Sequence, residues 1–398
     1  MPLAPIFTLE MSKRLFRELT TPFLRDKLAD LRLRLGDDAP GYRALARQYI
    51  RTENEDTETS EANLRHYEAD VSLDGNGHAI PGVERLYRRT LVVEPTLACA
   101  AHCRYCIRAN YPRHNLSEHD LDEIARYCGS SAQRNDLREV LITGGDVLLV
   151  PDRVDYFLRS LIQHAPNIRI ARIATRIPVQ DPERVDQKVL NIFRNKPSLR
   201  LELATQINHP VELFPEVRDA YQRIMNEGAR IYAQNVLLRG VNDDVDTLIK
   251  LYDALRDLGV ESHYLFHCVP LQGMAHLRTS LDEAVTLGRA LCSSGRISGR
   301  AKPLVAAMTD IGKIVLYDGV IAARRDHRIL LRSEVAFADR RRWNPNWQMP
   351  ETAECDADGR LMVWYLDGGT PSREQAPLAR DGSALRLERR LPILQPTT

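Results

Sequence analysis

Three cysteines fall within eight residues, in CAAHCRYC, at Cys99, Cys103 and Cys106. Thiolates at this density hold metal, and two arrangements suit the residue type. A structural zinc takes four tetrahedral ligands, commonly as two close pairs. Cys128, the next cysteine, stands alone, and His102 immediately precedes Cys103, poorly spaced to join the same ion. The other arrangement is a [4Fe–4S] cluster on three thiolates, which leaves one iron open to a ligand from outside the chain.

Further residues with chemical potential lie downstream. ITGGDVLL sets Gly144, Gly145 and Asp146 at the end of an apolar run. Paired glycines let backbone approach a ligand closely and expose N–H groups, although the same pair also makes an ordinary tight turn. Arg108 follows Cys106 by two residues. Its guanidinium can grip a carboxylate with two parallel hydrogen bonds, or pair with a neighbouring acid. A lysine that forms a Schiff base needs its pKa lowered by burial or by a cationic neighbour. Lys313, in DIGKIVLYDG, is one candidate; Lys302, before Pro303, is expected to be solvated. GVERLYRRTL adds Arg85, Tyr87, Arg88 and Arg89, and His209 (INHP) and Gln234 (AQNVLL) read by type alone as satisfied core residues.

Elements must position these groups. The chain has 398 residues, 43% hydrophobic content and a net charge of +1. That is room for a large catalytic domain with extensions, and no bulk charge calls for nucleic acid or an anionic membrane. No apolar run reaches the roughly 20 residues that span a bilayer, and the first residues do not read as a secretory signal. Seven cysteines, three of them crowded into one loop, point to a reducing, cytoplasmic setting. Residues 1–75 read as helical and 74–82 (DGNGHAIPG) as a turn-rich linker. Apolar strand candidates then begin near 89, 138, 168, 199, 229 and 261, alternating with amphipathic stretches at the length of one strand–helix unit. Strands apolar almost throughout belong in a parallel sheet covered on both faces. The expected fold is therefore α/β: a partial (β/α)6 barrel over 76–332, a helical N-terminal region over 1–75 and a short C-terminal extension over 333–398. The basic run at 340–342 is expected to be solvated surface. In a barrel, function gathers at strand C-terminal ends. CAAHCRYC follows the first strand and GGD the second.

The CxxxCxxC spacing, with Tyr105 before the last cysteine, resembles the radical S-adenosylmethionine (SAM) superfamily. CRYCIR, ITGGDVLL, RIATRIPV, INHPVEL, AQNVLLRGVND and QGMAHLRT, in this order between about 80 and 332, together resemble lysine 2,3-aminomutase and its relatives. The resemblance implies a radical SAM partial barrel and a [4Fe–4S] cluster on Cys99, Cys103 and Cys106, with SAM chelating the open iron. It implies Tyr105, Gly144, Gly145, Asp146, His209 and Gln234 around SAM, pyridoxal 5′-phosphate (PLP) on Lys313, and Arg108 on the substrate carboxylate. Arg85, Tyr87 and Arg89 would hold the PLP phosphate, with Leu86 and Thr90 standing where the family has arginines.

The implied activity is a 2,3-aminomutase, an isomerase that moves an α-amino group to Cβ. Its partners would be a small amino acid, a flavodoxin- or ferredoxin-type electron donor and further copies of the chain. Lysine-specific members bind the distal ammonium with two aspartates; Val269 and Met308 occupy those positions here. An ammonium buried without a partner is costly, so L-lysine in the usual pose is not expected. An apolar side chain fits, or a cationic one met by Asp310 or Asp318, or an acidic one met by Lys302 or His267. Asp244 and the single C-terminal Cys355 argue against the intersubunit zinc of some relatives. Deamination or dehydration with the same cofactors, modification of a translation factor through a lysine derivative, and a non-catalytic zinc-stabilised binding protein are the rival readings.

Overall fold

The computed structural model describes residues 16–56, 70–72, 79–109, 114–194, 196–317 and 319–368. Residues 74–78 of the expected linker and Asp318 lie outside the described residues.

Two helices come first, α1 (Pro22–Leu35) and α2 (Pro40–Tyr49). The Thr21 hydroxyl accepts from the Leu24 N–H at 3.2 Å, and Pro22 follows it, where its missing N–H costs nothing. Leu24, Leu28 and Leu31 form the buried stripe that meets Leu45 and Tyr49 of α2 and Ala101 of the cysteine loop. Both helices are thereby fixed against that loop.

A ten-stranded sheet follows in simple chain order. Its strands are β1 (Asp70–Ser72), β2 (Ala79–Glu84), β3 (Thr90–Thr96), β4 (Glu139–Gly144), β5 (Ile170–Ala174), β6 (Arg200–Thr205), β7 (Arg230–Leu237), β8 (Glu261–His267), β9 (Leu304–Thr309) and β10 (Gly312–Val315). The six expected strands are β3 to β8, all parallel. The sheet curls into a half-barrel, the fold of the radical SAM type. The parallel run has a seventh member, β9, in register Leu265↔Val305. Its sequence, LVAAMT, follows the strand start read at Lys302–Pro303 but lies outside the six regularly spaced strand candidates. β2 and β10 pair antiparallel to the two ends of this run. Residues 79–82 are thus strand, not linker.

The crossovers carry α3 (Glu118–Gly129), α4 (Pro151–His164), α5 (Ile177–Gln180), α6 (Gln187–Phe193), α7 (Pro215–Asn226), α8 (Val245–Leu258) and α9 (Leu281–Ser293). Ser117 opens α3 with a capping box: its hydroxyl takes the Asp120 N–H and the Asp120 carboxylate takes the Ser117 N–H. Apolar faces of these helices close over Val140, Ile142, Ala171, Ile173, Leu203 and Leu265. Side chains alternate along a strand. In β5, Ala171 and Ile173 face the helices, while Ala174 lines the central cavity and Arg172 shares its inward face.

A second sheet, ordered β11 (Ile321–Arg325), β12 (Arg328–Ala336), β14 (Arg360–Leu366) and β13 (Ala353–Cys355), is antiparallel. β12 runs through position 332. Its apolar face packs Ile329, Leu331 and Leu361 with Ile311 and Ile314 of the β9–β10 hairpin. Between β12 and β13 lies α10 (Phe337–Trp343). The run at 340–342 begins in this helix, and it is not all surface. Arg340 is 1% exposed because it faces the hairpin, where its Nη2 donates to the Ile311 carbonyl at 2.7 Å.

Candidate active site

The C-terminal ends of the parallel strands surround a cavity of about 270 Å³. The cysteine loop lines it, and so does Lys313 with Tyr87 and Glu84. Cys99, Cys103 and Cys106 all line it. The loop is stitched at several points. His102 N–H donates to the Leu19 carbonyl at 2.8 Å, and Arg104 N–H to the Gln48 carbonyl at 2.8 Å. Arg104 is fully buried on a bidentate pair with Glu55. Burial, the neighbouring thiols and Asp146 push the Cys99 thiol up. Two N–H groups are aimed at Cys103: Arg176 Nη1 stands 2.9 Å and Gln180 Nε2 3.3 Å from its sulfur. Donors aimed at one sulfur of a three-thiolate set suit a metal–sulfur cluster, whose electronics respond to such bonds.

Arg176 was not singled out in the sequence, although it lies in RIATRIPV. It is held by Glu212 at 2.6 Å and Gln48 at 3.2 Å and spans the Tyr49 and Tyr105 rings. Tyr105 lines the cavity, buried, with its hydroxyl on Asn208 at 2.6 Å. No local pattern could reveal a network whose partners are 36 to 128 residues apart.

Gly144 and Gly145 line the cavity too, but the N–H groups here serve the loop. Gly145 donates to the Thr96 carbonyl at 2.8 Å and Asp146 to the Ala98 carbonyl at 2.7 Å. A Cβ at Gly145 would collide with the Ala98 carbonyl, and Gly144 has φ +115°. The glycines therefore let the cysteine loop lie against β4. The Asp146 carboxylate accepts from Thr175 Oγ1 at 2.6 Å and Arg176 N–H at 2.7 Å, while burial pushes it up to about 6.

Arg108 faces the same cavity, with its Nε on the buried Glu94 carboxylate. The structure shows the second alternative raised for this residue, pairing with a neighbouring acid, on a side chain that also borders the cavity. Gln234 lines the wall, its amide 3.5 Å from His263 Nδ1. His209 does not. Its Nδ1 accepts the Val211 N–H at 3.1 Å, which makes it a local cap outside the cavity.

Lys313 sits on β10 with Nζ 5.5 Å from the Tyr87 ring centre and 5.7 Å from that of Tyr264. Its backbone N–H donates to the Tyr87 hydroxyl at 3.0 Å. Burial, then Arg172 and Arg108, bring its amine down to about 8. Lys302 is exposed. Of Arg85, Tyr87, Arg88 and Arg89, only Tyr87 lines the cavity; Glu84 and Leu86, before it in sequence, line it too. Arg85 turns to Gln133 and to the Arg88 carbonyl, and exposed Arg89 to the carbonyls of Asn135 and Asp136. The loop before β4 draws both away, so the expectation that they hold a phosphate is corrected.

Val269 and Met308 face the cavity beside Phe266. Asp310 is buried off the cavity with Thr352 at 2.5 Å. His267 lies between the Tyr365 hydroxyl at 2.9 Å and the Thr279 carbonyl at 2.8 Å, and burial holds it down at about 3. It is neutral and offers no charge to an acidic substrate. Asp244 caps α8 through the Thr247 N–H at 2.8 Å, and Cys355 is exposed.

Residues 93–284 match the radical SAM superfamily model. A putative L-lysine 2,3-aminomutase of Aquifex aeolicus is 31% identical over 260 residues, 64% of this chain and 68% of that protein. A second from the same organism is 31% identical over 66% of this chain and 70% of its own. The L-lysine 2,3-aminomutase of Fusobacterium nucleatum is 30% identical, and this chain spans 59% of its length. A radical SAM methyltransferase from Sphaerobacter thermophilus superposes with a TM-score of 0.43 at 18% identity, over 75% of this chain and 96% of its own, too remote to bear on the reaction. No helix among the described residues is long and apolar enough to cross a membrane. With 31% identity across more than two thirds of an aminomutase relative, the chain belongs to the lysine 2,3-aminomutase family of radical SAM proteins.

Proposed function

We propose that this chain is a PLP-dependent 2,3-aminomutase that moves the α-amino group of an amino acid with an apolar side chain to Cβ. The observation that carries the reading is the shared cavity: three cysteines, a buried lysine of lowered basicity and Arg108 all line it.

The family implies a [4Fe–4S] cluster and SAM, and Cys99, Cys103 and Cys106 would hold the cluster. Lys313 would hold PLP. Bound together, these groups supply a 5′-deoxyadenosyl radical to abstract hydrogen and a π-system to delocalise the unpaired electron. The chain's own residues do the positioning. Arg108, fixed by Glu94, presents its guanidinium to the substrate carboxylate. The Lys313 amine that would hold PLP has its basicity brought down to about 8 by burial and two arginines, which favours the neutral nucleophilic form. Phe266, Val269 and Met308 line the side-chain end and exclude water, which protects a reactive radical. Val269 and Met308 leave the side-chain end without a countercharge for a distal ammonium, the cavity's Glu84 acting instead on Lys313, so lysine in that pose is disfavoured. A flavodoxin- or ferredoxin-type protein is the proposed reductant.

The test is product analysis. Anaerobically reconstituted protein with SAM, PLP and a strong reductant is given each proteinogenic amino acid, and β-amino acids are sought by mass spectrometry. A β-isomer of an apolar amino acid supports the proposal. SAM cleavage with ammonia release or no β-isomer from any substrate overturns it.

A further inference from the structure

Arg340 carries a charge that the fold leaves uncompensated. Beyond the bond from Nη2 to the Ile311 carbonyl, its Nε and Nη1 have no hydrogen-bond partner, and its guanidinium lies 5.1 Å over the Trp347 ring. Among the described residues, the group that favours its charge is the Tyr87 hydroxyl. A buried guanidinium without an anion costs several kcal/mol, so a fold that keeps one usually supplies the anion from elsewhere.

The position says what that anion accompanies. Trp343 of the same helix donates to the Leu86 carbonyl at 3.2 Å, which draws α10 onto the segment carrying Tyr87. A Cβ added to Gly312 would stand 3.2 Å from the Tyr87 hydroxyl and 3.8 Å from Arg340 Nη2. Arg340 is therefore beside the Tyr87 hydroxyl, one residue from Lys313. Arg172 also acts on Tyr87; its Nε makes no well-aligned hydrogen bond, and its guanidinium lies against the buried Tyr232 hydroxyl on β7. Arg172 Nη2 reaches Glu139 at 3.3 Å and Thr90 Oγ1 at 3.4 Å. Two guanidinium groups thus act on the tyrosine from positions behind the cavity lining, while Arg85 and Arg89 point away.

We propose that Arg340, Tyr87 and Arg172 form a phosphate-monoester site behind Lys313. Its ligand is the phosphate of the cofactor that Lys313 holds, an assignment that rests on the PLP reading above. A phosphate dianion supplies acceptors for the unpartnered guanidinium N–H groups and for a phenol, and a planar guanidinium can meet two of its oxygens at once. It also replaces the missing countercharge.

Two probes on the cofactor-free full chain separate the site from the cofactor. The first is inorganic phosphate, read as the melting temperature against chloride at equal ionic strength. Phosphate raises the wild-type melting temperature; Arg340→Met abolishes the rise, Arg172→Gln diminishes it and Arg340→Lys keeps part of it. The second compares PLP with pyridoxal by equilibrium titration of the lysine-bound chromophore. The wild type favours PLP by about a hundredfold, and Arg340→Met lowers PLP affinity at least about tenfold with pyridoxal unchanged. Absence of a phosphate effect in the wild type overturns the site. So does a parallel loss of PLP and pyridoxal, which marks Arg340 as purely structural. A phosphate effect with no chromophore on Lys313 leaves the site standing and removes the PLP reading instead.

Discussion

Arg176 Nη1 lies 2.9 Å from the Cys103 sulfur, and Gln180 Nε2 lies 3.3 Å from the same atom. Both donors come from the segment after β5, and Glu212, Gln48 and two tyrosine rings hold the arginine from behind. A charge-assisted hydrogen bond to a thiolate favours the more negative, reduced state of whatever metal group that thiolate holds. Its worth is about 1.5–3 kcal/mol. Arg176→Gln should therefore move the cluster midpoint to a more negative potential, measured by EPR-monitored titration without SAM. Arg176→Lys should restore part of the difference. A variant with wild-type potential and merely less iron would show that Arg176 only supports the loop.

Lys313 should react as a lysine that loses its proton near pH 8 rather than near 10.5. Burial and the two arginines disfavour the charged form, and the neutral form is the nucleophile. The rate of attachment of pyridoxal should rise with pH and level off above about 8. Arg172→Gln removes one of the depressing charges, so its inflection should move upward. Stopped-flow absorbance across pH gives both values. Lys313→Ala should leave no borohydride-stable adduct in a peptide map, and an adduct at Lys302 would transfer the role to that residue.

Gly145 tests how the cysteine loop is seated. A methyl group there meets the Ala98 carbonyl and the Leu97 carbonyl carbon, which are backbone and cannot turn aside. Overpacking of this kind costs about 1–3 kcal/mol. Gly145→Ala should lower the denaturation midpoint and the iron bound per chain after reconstitution. Gly299→Ala, at a site with nothing within 4 Å, is the matching control and should change neither.

The sequence made legible what is local. The strands β3 to β8 are apolar runs bounded by turns, and the cysteines and the GGD sequence announce their own chemistry through spacing. Lys313 stood out because only two lysines neighbour the last strands. Residues whose significance comes from distant partners stayed hidden. Arg176 depends on Gln48 and Cys103, and Arg340 on Ile311 and Tyr87, so neither has a signal in its own neighbourhood. Arg85 and Arg89 erred in the other direction. A basic cluster before the first strand reads as an anion grip until the loop at 130–138 is seen to claim both side chains.

Substrate choice should turn on two residues at the side-chain end. Val269 and Met308 line the cavity, and the neighbouring Phe266 is apolar as well. His267 is neutral and already bonded, and Asp310 is directed to Thr352, so neither supplies a charge. An ammonium placed there would be desolvated without a partner, which costs more than its hydrocarbon stem recovers. The wild type should therefore convert an apolar amino acid in preference to L-lysine. Introducing both Val269→Asp and Met308→Asp should reverse that preference, because each carboxylate adds a countercharge and removes apolar contact. The single variants should lose the apolar substrate without fully gaining lysine, since one carboxylate in a dry site satisfies the ammonium only in part. The ratio of kcat/KM for the two substrates in the wild type, both singles and the double measures this directly. A double variant that still prefers the apolar amino acid would place the substrate side chain elsewhere in the cavity.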